Sequence, residues 1–130
     1  MLFTTLSGPP TRRAAIACAC GSNPPALSPQ QETAIQYNQR GRTAFEQGDY
    51  TEARASYQQA LAIHQSVENT EGIATELMNL SVVHRRLNDT TLAHAALDQT
   101  INPSGLSFSS AQRAEAAYRK ASFYLEDGNR

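Results

Sequence analysis

The chain has 130 residues, of which 40% are hydrophobic and 18% charged, with a formal net charge of −1. That length suffices for one domain, and the composition is that of a globular chain rather than a disordered one. The charge balance argues against nucleic acid, whose phosphates demand a clear positive excess, and no apolar run nears the roughly 18 residues that cross a bilayer as a helix.

Residues 1–27 read as a leader and linker. Five of the six prolines lie at or before Pro29, and Arg12 and Arg13 are the only charged side chains before Glu32. Removing those two positive charges from the total of −1 leaves −3 on residues 32–130. A Pro-rich stretch without acids does not build a packed core, so the folded part is expected to run from Ser28, as one domain over 28–130. Cys18 and Cys20 form a lone CxC, which lacks the four ligands of a zinc site and is strained as a bridge across one residue. The segment "RRAAIACACGSNPP" resembles a bacterial lipoprotein leader, with arginines, a short apolar run, a cysteine after alanine and a Pro-containing tether. The resemblance implies lipid on Cys18 or Cys20 and an exported, membrane-anchored chain. The alternative, and the preferred one, is a cytoplasmic chain whose tail carries inert thiols.

From Ser28 onward the pattern is helical and periodic. Ser28-Pro29 offers a cap followed by proline at the first helical position, where a missing N–H costs nothing. Tyr37, Gly41, Ala44 and Phe45 then follow a three-to-four spacing. Gly48 can take the left-handed conformation that ends a helix. Asp49 caps the next one, with Glu52 three residues on. Ala53, Tyr57, Ala60 and Leu61 continue on one face of that second helix. The pattern returns after 40 residues: Gly48-Asp49, Asn88-Asp89 and Gly128-Asn129 share the step, as do Gly41, Ser81 and Ala121. Ala53 pairs with Ala93, Tyr57 with Leu97 and Leu61 with Ile101 in the same way. Pro103-Ser104-Gly105 breaks the chain before Ser109, which with Gln112 forms another capping box. The spacing predicts helices over 29–47, 50–68, 71–87, 90–101 and 109–127, all-α, with Gly41 and Ala53 small so that two helices approach closely around Tyr57.

"YNQRGRTAFEQGDYTEARASYQQALAI" resembles a tetratricopeptide repeat in its small first-helix residue, its Gly-Asp-Tyr turn and the Ala, Tyr and Ala-Leu of its second helix. "EGIATELMNLSVVHRRLNDTTLAHAALDQTI" resembles it more loosely, with Ser81 in the place usual for glycine. "AAYRKASFYLEDGN" resembles a third first helix. The step near 40 and Asn79-Leu80-Ser81 are similar to the long-helix variety of that repeat. The resemblance implies a right-handed solenoid of antiparallel helix pairs, about two and a half repeats long. The last helix is then expected either to cap the stack or to continue into further chain.

Nothing in the sequence has the spacing of a catalytic or metal centre. His64, His84 and His94 fall in three helical registers with no i, i+4 ligand pair, and are expected to be one partly packed and two on the surface. Glu68 and Glu71, and Glu126 and Asp127, read as solvated helix ends. No Gly-rich phosphate loop, nucleophile elbow or HExxH is present, and no cofactor is expected. The resemblance implies a non-catalytic scaffold for a peptide or partner helix, or an accessory domain of a larger enzyme or signalling protein. First helices would line its concave face. Counting helical positions away from Tyr37, Gly41 and Ala44 places Asn38, Arg42 and Phe45 there. The same count gives Met78, Asn79, Val82 and Arg86 in the second pass, then Tyr118, Arg119 and Ser122 in the third. The asparagines can meet a peptide backbone with donor and acceptor, and Arg42, Arg86 and Arg119 suit an acidic segment or terminal carboxylate.

Overall fold

The computed structural model describes residues 24–129. The expectations for Cys18, Cys20 and the rest of the leader therefore lie outside the described residues. Among the described residues five helices follow in order: α1 (Pro29–Glu46), α2 (Tyr50–Ser66), α3 (Thr70–Arg86), α4 (Thr90–Ile101) and α5 (Ser110–Gly128). Each packs chiefly on the next in sequence, and no strand occurs among the described residues. The predicted boundaries are met to within two residues.

The corners explain the periodicity. At the end of α1 the Gly48 N–H donates to the Phe45 carbonyl and the Asp49 N–H to the Ala44 carbonyl, at 3.0 and 2.9 Å. That pair of bonds satisfies the last carbonyls of a helix and requires a left-handed residue at the first position past the cap. Gly48 takes it, with φ 80°. Asp49 then turns its side chain forward to accept from the Glu52 N–H and cap α2. The same device recurs at Glu68-Asn69 and at Asn88-Asp89, with φ of 53° at Glu68 and 62° at Asn88. The period of 40 is thus two helix-and-corner units of 20, and the middle corner is the one with no glycine or asparagine in its left-handed position. Glutamate there bears a side-chain clash worth about 1–2 kcal/mol, which hides the corner from a search for turn residues.

Packing between helices fills three apolar clusters. Ala44, Ala53, Tyr57, Leu80 and Val83 form the first. Gly41 is small because Tyr57 lies on it: a Cβ there would sit 2.8 Å from two ring carbons. Ile73, Ala74, Leu77, Ala96 and Phe108 form the second. Phe108 comes from the long α4–α5 connection, which replaces the fourth corner after the shorter α4. Ala93, Leu97, Ala116 and Phe123 form the third.

Two repeat-derived expectations fail at α5. Gly128 is still helical and Asn129 has φ −91°, so Gly128-Asn129 does not make the left-handed corner of its counterparts. Ala121, in register with buried Gly41 and Ser81, is exposed. Gly41 is covered by Tyr57 of the following helix and Ser81 is buried in α3, whereas no described helix follows α5.

Candidate functional site

The most unusual residue is one that the sequence reading passed over. Glu76 lies mid-way along α3, between Ile73, Leu77 and Leu80 on the apolar stripe, and is 1% exposed. Its carboxylate accepts from the side-chain amides of Asn38 on α1, at 2.6 Å, and Asn79 one turn on, at 3.2 Å. Two of the predicted groove residues, 41 positions apart, therefore converge on one buried acid. Burial pushes the Glu76 pKa above the usual carboxylate range, and the two asparagine bonds pull it partly back.

A second polar pair, Asn69 and His64, stands beside the same carboxyl group without bonding to it. Asn69 caps α3 by accepting the Gly72 N–H on its Oδ1, at 3.1 Å, which turns its amide nitrogen toward His64 Nδ1, 3.2 Å away. Nδ1 is then the acceptor, and the ring proton sits on Nε2, which faces Glu76 Oε1 at 3.9 Å. That distance is beyond a hydrogen bond. Burial lowers the His64 pKa, so His64 is a neutral neighbour and not a counter-cation. The ring lies flat on Gly72, where an added Cβ would be 2.4 Å from its Cγ and Nδ1. Beside this cluster opens a cavity of about 250 Å³, walled by Ile35 and Asn38 of α1, His64 of α2, and Glu71 and Glu76 of α3.

The other first-helix contacts join α3 to α5. Arg85, its side chain 12% exposed, donates to Glu126 at 2.6 Å and to Asp127 at 3.0 Å. Its guanidinium carbon stands 4.1 Å over the Phe123 ring. Glu126 and Asp127 are thus ion-pair partners rather than the solvated helix end expected. Arg86, exposed, borders a second cavity of about 250 Å³ with Val82, Arg85, Phe123 and Glu126. Val82 is half-buried against the third cluster. Arg42 stands 4.0 Å from Glu46 with both side chains largely exposed, and Arg119 donates to Glu115 at 2.8 Å. Tyr118 is 71% exposed. The Ser122 hydroxyl donates to the Tyr118 carbonyl.

Phe45, expected on the groove face, is half-buried and packs against the first cluster, its ring 5.3 Å from that of Tyr50. Met78 is half-buried between the second and third clusters. Two histidines are buried, not one partly packed: His64 and His84, at 8% and 7% exposure. His94 is half-buried and stacked on Tyr124 with ring centres 4.4 Å apart. A signal for Glu76 existed in its i, i+3 spacing to Asn79 within an apolar stripe. Arg85 had none, because its partners come from another repeat.

Among the described residues no group of three or more His, Cys, Asp or Glu could hold a metal ion, and no helix is long and apolar enough to cross a membrane. Helices of about 17 residues, stacked pairwise with left-handed corners every 20, define the class of helical-repeat proteins. A model of the tetratricopeptide repeat matches residues 32–102, more than half of the chain and all of α2–α4, and the chain belongs to that family. No curated protein and no solved structure matches it significantly. Members of the family serve as protein–protein interaction modules and are typically non-catalytic.

Proposed function

We propose that the domain is a non-catalytic scaffold that holds a partner polypeptide along its first helices, with an acidic residue or terminal carboxylate of the partner at Arg86. The observation that carries this is the cleft between α3 and α5. There an exposed guanidinium stands beside the apolar Val82 and Phe123 in an open cavity the size of a side chain, whose one acid, Glu126, is already paired with Arg85. Arg86 is the better anion contact of the three arginines considered, since Arg42 and Arg119 each face a glutamate of their own helix. Asn38 and Asn79 each give one amide N–H to Glu76, which leaves the second N–H and the amide oxygen of each for a peptide backbone. Binding of an acidic segment weakens as salt rises, because exposed charges are screened over about 8 Å at physiological ionic strength.

The test is affinity capture of a partner with the intact protein, followed by the same measurement with Asn79→Ala and Arg86→Glu. Circular dichroism melts establish that both variants fold. Arg86→Glu is expected to lose most of the affinity and its salt dependence. Full retention by both folded variants would move the binding surface off the first helices.

A further inference from the structure

Glu76 is a buried carboxylate without a counter-charge. Among the described residues the cation nearest in kind is His64, neutral by burial and by its tautomer, and no lysine or arginine lies within ion-pair distance. A second acid, Glu71, stands at the rim of the adjoining cavity, and none of its lining residues is a lysine or arginine. Buried charges are ordinarily paired, because the loss of hydration is otherwise uncompensated. The cavity is open to solvent and, at about 250 Å³, has room for a side chain.

We propose that this cavity is a specificity pocket for a lysine of the bound polypeptide, whose ammonium enters between Ile35 and Glu71 and pairs with Glu76. The partner source of the amine rests on the scaffold reading; the chemistry of the pocket does not. Ammonium is favoured over guanidinium by the state of the carboxylate. Each oxygen already accepts one asparagine N–H. A guanidinium fork needs both oxygens along one edge, whereas an ammonium is a point charge with three rotatable donors and needs only one free lone pair. Ile35, 40% exposed, covers the methylene stem, as apolar surface does for long basic side chains. The partner is then bipolar along its length, acidic at the α3–α5 cleft and basic at the α1–α3 pocket. A purely acidic segment does not describe it.

The experiment is an NMR titration of the full chain with three capped amino acids as probes: Nα-acetyl-lysine methylamide, its arginine counterpart and its norleucine counterpart. The lysine probe is expected to shift the Asn38 and Asn79 side-chain amides and the Gly72 backbone N–H saturably. The arginine probe should act more weakly and norleucine not at all. Glu76→Gln keeps the size of the side chain and should raise the lysine Kd at least tenfold. Ile35→Lys, at an exposed position, supplies an amine from the chain itself and should block the probe without disturbing the fold. Norleucine shifting the same signals equally, or unchanged lysine binding in either folded variant, would overturn the pocket. Probe binding at Glu76 together with full partner retention by both Asn79→Ala and Arg86→Glu sinks the first-helix scaffold reading alone; loss of the partner in those variants with no probe binding sinks the pocket alone.

Discussion

His64 and His84 stand 20 residues apart at the same place in successive corners, and the residue five positions on decides how each is kept. Both carbonyls accept the N–H of the following cap, Asn69 or Asp89. Both rings are buried. Asn69 has a spare amide donor and gives it to His64 Nδ1. Asp89 uses Oδ1 to cap α4, and no hydrogen bond joins it to His84 Nδ1, which is buried without a partner. One oxygen-for-nitrogen difference in a capping residue thus separates a satisfied imidazole from an unsatisfied one. Asparagine and aspartate are near-equal as caps, but only asparagine can donate to an unprotonated ring nitrogen.

The corners differ again at the position eight residues past each histidine, and here the largest effect is expected. Gly72 lies under the His64 ring, whereas Leu92 takes the equivalent place and is 46% exposed. Gly72→Ala puts a methyl group 2.4 Å from ring atoms, and overpacking of that kind costs about 1–3 kcal/mol. We expect the upper end in urea unfolding, because backbone and a capped ring have little room to give. Leu92→Ala should change stability by less than about 0.5 kcal/mol, as exposed substitutions do. Equal effects at the two positions would mean that the corners are not distinguished by this packing. Ala53→Leu in the first hairpin, where Ala53 is fully buried, should also lose about 1–3 kcal/mol by crowding.

Exchanging the capping residues sharpens the comparison. Asp89→Asn supplies the missing donor to His84. With a buried unsatisfied group worth about 1–3 kcal/mol, a gain near 1 kcal/mol is expected at pH 8 by thermal or urea unfolding. Asn69→Asp should lose a similar amount. No change in either variant would show that the cap does not govern the ring.

Smaller effects are expected from pH. Burial lowers the pKa of His64 and of His84 from 6.5, with Asp89 drawing His84 upward and Arg54 downward to a lesser degree. The unfolded chain then binds more protons than the folded one below about pH 6.5, so stability is full above that value and is lost as pH falls below it. Glu76 has the opposite sign. Its folded pKa is raised from 4.5, the folded state holds the proton more tightly, and its contribution declines as pH rises from 4.5 through the raised value. The stability of Glu76→Gln relative to the parent should therefore grow between pH 4.5 and pH 8. A difference that stays flat across that range in urea unfolding would mean that Glu76 titrates as an ordinary exposed acid.

The helices, the corners at Gly48 and Asn88 and the close approach of Gly41 to Tyr57 were legible in the sequence. Each is a local matter: capping, left-handed tolerance and side-chain size act within one helix or one turn and leave their mark at fixed spacing. The corner at Glu68-Asn69 was less legible because packing there holds a residue with a poor intrinsic preference for its conformation. Asn38 and Asn79 were expected on the groove face of successive first helices, with donors free for a peptide. What bound them was decided only by tertiary structure. Glu76 is 38 residues from Asn38, and Arg85 is 41 and 42 residues from Glu126 and Asp127. No spacing rule links such groups. Whether a charged side chain on an apolar stripe finds water, a partner or neither depends on which surfaces the next helix covers, and that is a property of the stack as a whole.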